Sequence, residues 1–343
     1  MVKVINKNIL KKKLNVGIIG LGVGEAHLKS YKKISTVEVL SVCDINPKRL
    51  NFIADKYDVR GRYLDSKKIT EDPNIDIVSI CSYDNFHAEQ LLSAFRNSKH
   101  VMVEKPVVLF KKEAEKVIRA WKDSNCRITS NLILRQSPRF KNLKEMINVG
   151  KFGDIYHIEG DYLHNILHKI TSGWRGKMPF YCTVYGGGIH LIDLMRWLMN
   201  DEVKEVCAMG NNLLTKDSKY KYPETITSLL KFYGGATGKN TTTFGPKRTK
   251  FHSLNIYGTN KSYVNNRGQG EFYSGDEDKD LELDSIIYPG MGKGDLLPEF
   301  IDAIINNKEH EVSGEDIFKV MDICFAIWES YQKKITVDVS YIL

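Results

Sequence analysis

Three glycines, Gly20, Gly22 and Gly24, follow an apolar run from Val16 to Ile19 and precede a helical stretch containing Ala26, His27 and Leu28. That arrangement suits a phosphate. Glycine permits the tight turn through Val23 and lets the backbone approach a pyrophosphate, and the helix start offers its free N–H groups to the anion. The next apolar strand, VEVLSVCD, ends in Asp44, 22 residues after Gly22. A carboxylate at that distance accepts hydrogen bonds from both hydroxyls of an adenosine ribose and repels a 2′-phosphate. NAD is therefore expected over NADP, with Lys48 and Arg49 nearby as the argument for the latter. S-adenosylmethionine enzymes place an acid two residues before the first glycine, where this chain has Ile18, and no GxxxxGK(S/T) phosphate loop occurs.

Elements that could position this turn follow in order. A helix is expected near Pro47–Tyr57, a strand over Ile75–Ser82, a helix from about His87 to Asn97, and a strand in HVMVEKP. Strands alternating with helices imply a doubly wound parallel sheet, whose ligands sit at the C-terminal strand ends. Ser82, Tyr83, His87, Glu104 and Lys105 are thus expected around the cofactor. Beyond Asn131 the pattern changes to longer alternating runs, DIYHIEGDY, VKEVCAMGNN, ITSLLKFY and ATGKNTTTF, which predict a large, mostly antiparallel sheet in a C-terminal α+β domain. The expected division is 1–130, with a basic extension over 1–13, and 131–343. His164 and His168 form HxxxH without a third ligand at sensible spacing, so no metal is expected. Trp174 and Arg175, in the loop-like TSGWRGKMPFYC, are candidates to wall a sugar ring and an anionic group.

Four segments, GIIGLGVGEAH, CSYDNFHAEQ, HVMVEKPV and GGGIHLIDLMRWL, resemble in order and spacing the Gfo/Idh/MocA family of glucose-fructose oxidoreductases and inositol dehydrogenases. NLILRQSPRF, GKFGDIYHIEGDY, LNIYGTNKSYV and VSGEDIFKVMDICFAIWESYQ extend the resemblance over essentially the whole chain. It implies that Lys105 stands beside the nicotinamide and the substrate hydroxyl, where an ammonium orients the alcohol and stabilises alkoxide character. It also implies that His190 takes or returns the hydroxyl proton, a task suited to imidazole. Many members carry an aspartate where this chain has Gly186. Asp193, one helical turn beyond His190, and the hydroxyls of Tyr181 or Tyr185 are the candidates to replace it. The expected substrate site comprises Lys105, Trp174, Arg175, His190 and Asp193. The glycine turn is one residue shorter than GxGxxG, and a common threonine-proline-asparagine reads Ser82, Tyr83, Asp84.

Composition bounds the rest. Of 343 residues, 50 are Lys or Arg and 42 Asp or Glu, a formal charge of +8, and Lys3, Lys7, Lys11, Lys12 and Lys13 supply five of those charges before any acid. Beyond that extension the charges are mixed, which argues against a nucleic-acid partner, and no run approaches the ~20 apolar residues of a membrane span. The start of the chain lacks an apolar signal core, and the six cysteines (Cys43, Cys81, Cys126, Cys182, Cys207, Cys324) show no CxxC spacing, so reduced thiols and a cytoplasmic setting are expected. The reading that results is an NAD(H)-dependent oxidoreductase acting on a hydroxyl-bearing carbon of a sugar, inositol or nucleotide-linked sugar. The alternatives are an enzyme that recycles a tightly bound NAD through epimerisation, elimination or transfer, and a non-catalytic NAD-sensing module. A homodimer or homotetramer is expected, built on a partly apolar outer sheet face that includes Ile226, Leu229 and Phe232.

Overall fold

The computed structural model describes residues 13–343, so all but Lys13 of the basic extension lies outside the described residues. Six strands, β1 (Leu14–Ile19), β2 (Val37–Cys43), β3 (Gly61–Tyr63), β4 (Ile77–Ile80), β5 (His100–Val103) and β6 (Ile128–Ser130), make one sheet in the order β3-β2-β1-β4-β5-β6. Every pairing is parallel. The central strands read as unbroken apolar runs because helices cover both faces, and Val16, Ile18, Ile77, Val78, Val101 and Met102 are fully buried. Strand order reverses between β1 and β4, which opens a crevice at their C-terminal ends, the place where doubly wound sheets bind ligands.

Local signals set the boundaries of the covering helices. Asn46 accepts from the backbone N–H groups of Lys48 (3.0 Å) and Arg49 (3.2 Å), and Pro47 starts the helix Pro47–Lys56. Ser313 and Asp316 form a reciprocal capping box that starts the long helix Gly314–Lys333. The helix Leu297–Asn306, far along the chain, returns to the first sheet, where Leu297, Phe300 and Ile301 pack with Val16, Ile18 and Leu28.

Nine strands build the second sheet: β7 (Ile155–Leu163), β8 (Val203–Asn211), β9 (Thr225–Phe232), β10 (Thr237–Thr243), β11 (Phe251–Gly258), β12 (Ser262–Val264), β13 (Gly270–Tyr273), β14 (Leu281–Asp284) and β15 (Val337–Asp338). Their order is β14-β13-β12-β11-β7-β10-β9-β8-β15, and the β7–β10 pair alone is parallel. The helices Ile189–Met199 and Gly314–Lys333 pack on its inner face. One expectation needs correction. Side chains alternate along a strand, so residues an odd number apart cannot share a face. Ile226 and Phe232 point into the core, each 1% exposed, and of the three only Leu229 points outward, at 60%. The outer face is largely polar there, with Thr225 against Thr243 and Thr227 against Thr241, while Lys239 pairs with Asp161.

Candidate functional site

The glycine turn leaves β1 through Gly20, whose φ of +86° lies in the region L side chains avoid, and a Cβ there would strike the Cys81 carbonyl at the end of β4. Space around Gly22 is open, and no side chain caps the helix Gly24–Tyr31, so its first N–H groups remain available to an anion. Asp44, at the end of β2, accepts from Leu21 N–H (2.8 Å) through one oxygen and from Asn46 N–H (2.8 Å) through the other. The carboxylate is thereby fixed beside the turn with lone pairs left for a ribose diol. Open cradle, uncapped helix and held carboxylate together fit a dinucleotide. Asp44→Ala is expected to weaken NAD binding about tenfold more than NADP binding, the scale of one charge-assisted hydrogen bond. The NAD-to-NADP affinity ratio from calorimetry is the readout, because loosening of the turn alone would lower both equally.

Lys105 leaves β5 two residues past Val103, and its Nζ donates to the Gly186 carbonyl at 2.6 Å, reaching from the C-terminal end of that strand to the turn that precedes His190. Burial, assisted by Arg175 and Lys250, pushes the ammonium down to about 8, against the pull of Glu104 and Asp84. Glu104 itself faces inward. Its carboxylate accepts from Asn131 at 2.7 Å and lies 3.4 Å from His27, and these partners hold it at about 2 despite burial. His87 is fully buried with Nδ1 2.8 Å from the Pro106 carbonyl and Nε2 3.3 Å from that of Ser82. Its ring lies between the two strand exits and, with one N–H in the neutral form, donates to one of these carbonyls, Pro106 being the nearer. Ser82 Oγ donates to Gln90.

The segment Val184–Gly188 winds as a wider π turn into the helix Ile189–Met199. Glycine is required there for close approach: a side chain at 186 would collide with the Tyr181 hydroxyl, at 187 with the Tyr162 ring, and at 188 with Thr242. His190, 5% exposed, sits with its ring centroid 6.1 Å from Tyr162 and 6.2 Å from His252. Its Nδ1 is buried without a hydrogen-bond partner. Burial first, then the charges of Lys105 and Lys250, hold it well below the usual imidazole range.

The structure corrects the proposed support for this histidine. Asp193 is fully buried, but its oxygens face Arg135, at 3.0 and 2.5 Å, and no hydrogen bond joins it to His190 one turn away, whose Nδ1 stays without a partner. Arg135 also reaches Asp316 at 3.1 Å. Asp193→Ala is expected to destabilise the fold by about 3–5 kcal/mol, because it strands a buried guanidinium. Denaturant unfolding of the two proteins measures that loss. Tyr185 packs between Phe180 and Phe325 in an aromatic core rather than facing Lys105. Tyr181 is better placed: its hydroxyl fills the space a side chain at 186 would use and accepts from Arg175 Nε at 3.0 Å.

Trp174 stacks on Tyr83 with centroids 4.4 Å apart, so the two sheets' loops touch through aromatic faces, and the Arg175 guanidinium lies 4.3 Å from the Trp174 centroid. Sequence reasoning passed over Asp84. It is 7% exposed, burial raises its pKa, and His87, Lys105 and Arg175 oppose that rise. Its signal was an acid four residues past an apolar strand end. Among the described residues no group of three His, Cys, Asp or Glu side chains is placed to hold a metal, and His164 instead meets the Tyr162 hydroxyl at 3.0 Å.

A parallel sheet in this order, with an open glycine cradle, defines an NAD-binding Rossmann domain joined to a mostly antiparallel partner. Residues 14–132 match the NAD-binding Rossmann-fold domain of the Gfo/Idh/MocA oxidoreductase family, and residues 140–264 match that family's C-terminal domain. The chain belongs to the Gfo/Idh/MocA family. It is 30% identical over 233 residues to a myo-inositol 2-dehydrogenase of Thermotoga maritima, covering 66% of this chain and 67% of that protein. An inositol 2-dehydrogenase of Salmonella typhimurium is 29% identical over 200 residues, 56% of each chain. A levoglucosan dehydrogenase solved with NADH superposes with a TM-score of 0.86 at 24% identity, covering 96% of this chain and all of that one, a likeness of fold.

Proposed function

We propose that this protein is an NAD(H)-dependent dehydrogenase that moves hydride to or from a hydroxyl-bearing carbon of a sugar, inositol or nucleotide-linked sugar. The carrying observation is the hydrogen bond from Lys105 Nζ to the Gly186 carbonyl, which binds the exit of β5 to the turn presenting His190. In this reading NAD supplies the hydride acceptor or donor. Lys105 orients the hydroxyl and stabilises alkoxide character on its oxygen. His190, kept neutral by its surroundings, takes the hydroxyl proton in oxidation and returns it in reduction. Tyr83 and Trp174, stacked on one another, join the two domains' loops at that corner. The relatives named as inositol and levoglucosan dehydrogenases support a polyol substrate.

Residues 1–130, with the helix Leu297–Asn306 packed on their sheet, serve as the cofactor domain, and the rest of 131–343 as the substrate and assembly domain. The outward Leu229 and Met209, 60% and 79% exposed, support pairing of copies through the nine-stranded sheet as a dimer or tetramer. The six free thiols fit a cytoplasmic setting. The test of activity is a panel of sugars and inositols with external NAD: NADH formed in proportion to product supports a dehydrogenase. Product without net NADH would indicate an internally recycled cofactor, and no turnover with any member would count against the reading.

A further inference from the structure

Positive charge gathers on one side of His190 beyond what moving a proton and a hydride needs. Arg175 lies against Trp174 and 5.7 Å from the Tyr181 ring, donating to that tyrosine's hydroxyl. Lys250, just before β11, sits 5.5 Å from the centroid of Tyr162, the ring that His190 stacks against at 6.1 Å. Lys105 approaches from β5, and the charges of Lys169 and Lys293 reach the same corner. Among the described residues none of these five cations forms an ion pair with a carboxylate; Lys105 and Arg175 are half-buried, and Lys169, Lys250 and Lys293 open to solvent.

The groups here feel one another. Beyond burial, the charges of Lys250, Lys169, Lys105 and Arg175 bring His164 down to about 4. Lys250 falls to about 8 through partial desolvation and then the charges of Lys293 and Lys169. The single acid facing Lys105 and Arg175 from the β4 exit is Asp84, since Glu104 is turned toward His27 and Asn131. Like charges crowded without partners raise the energy of the empty site, and an anion between them lowers it.

The cofactor's own phosphates do not account for these cations. The open glycine turn and the uncapped helix start beyond β1 would hold those phosphates, and β1 lies on the opposite side of β4 from β5. Arg175 and Lys250 come instead from the loops that line the substrate side.

Building on the dehydrogenase reading, we propose that the substrate is an acidic sugar or polyol whose carboxylate or phosphate is held by Arg175 and Lys250 while its reacting hydroxyl lies at Lys105 and His190. The Arg175 guanidinium, held flat against Trp174, presents a fork suited to either oxyanion.

The experiment uses the full chain loaded with NAD or NADH and matched sets of probes: glucose, glucuronate and glucose 6-phosphate, and inositol beside its monophosphate. Calorimetry measures binding and NADH formation measures kcat/KM. The expected result is an acid that binds at least about tenfold tighter than its neutral partner, an advantage that shrinks as salt rises from ~0.05 to ~0.5 M. Lys250→Gln and Arg175→Gln should each remove most of that advantage, read as the ratio of acid to neutral affinity within each variant. A winning carboxylate arm identifies a uronate or aldonate, and a winning phosphate arm a sugar phosphate. Neutral members that bind as well as the acids would overturn the proposal, as would an advantage that survives both substitutions. Loss of the dehydrogenase reading would look different: acids bound with the same salt and side-chain dependence, but no NADH from any of them.

Discussion

Replacing His190 by alanine is expected to lower turnover by about two to four orders of magnitude, the usual effect of losing a general base, while NAD affinity stays within about twofold. The split follows from position. His190 starts a helix under the second sheet, whereas the glycine turn and Asp44 belong to the first. The pH profile adds a second reading. Because burial and the neighbouring Lys105 and Lys250 charges hold His190 below its ordinary pKa, it is deprotonated and competent as a base through neutral pH. kcat/KM for alcohol oxidation should therefore hold its plateau as pH falls through 6.5, the pKa of a free imidazole, and drop only at lower pH. Near-normal turnover in His190→Ala would remove it from the mechanism and direct attention to Tyr181.

Lys105→Ala is expected to impair turnover and substrate binding together, by about two to three orders of magnitude in kcat/KM, since the ammonium meets ground and transition states alike. Its pKa, lowered to about 8 by burial, gives the sign on the alkaline side. The charged form dominates at neutral pH and is lost as pH rises through about 8, so activity falls there. Lys105→Arg keeps a charge that does not titrate in that range, so any residual activity should lack this limb. An unchanged alkaline limb in Lys105→Arg would assign it to another group.

What could be read from residue types was what local chemistry forces. Gly20, Gly22, Gly24 and Asp44 were legible because a pyrophosphate and a ribose diol demand those residues at short, fixed spacing along one strand, turn and helix. The alternating runs that became β7 to β10 were legible because one face of each is buried. Partnerships across long separations were not. Asp193 stands one turn from His190, yet its partner is Arg135, 58 residues away, and only the packing of the helix Ile189–Met199 against the Ile133–Gln136 turn decides that. Likewise the Tyr181 hydroxyl beside Gly186 depends on a π turn that three glycines permit but do not announce. His87 was expected at the cofactor because of its place in the chain, and its position between the Pro106 and Ser82 carbonyls was not legible there. The orientation of Ile226 and Phe232 was, by contrast, available from strand parity alone.

Direct hydride passage between a substrate carbon and the nicotinamide is the central claim, and a single turnover tests it. The NAD-loaded enzyme is mixed with a sugar from the panel that it consumes, deuterated at its carbinol carbons, quenched in acid, and the nicotinamide ring is weighed by mass spectrometry. Deuterium carried into the nicotinamide, in His190-dependent amounts matching the sugar oxidised and sampled before the reduced cofactor hands its deuteride on, is the predicted result. Sugar consumed with no deuterium in the nicotinamide would contradict the account.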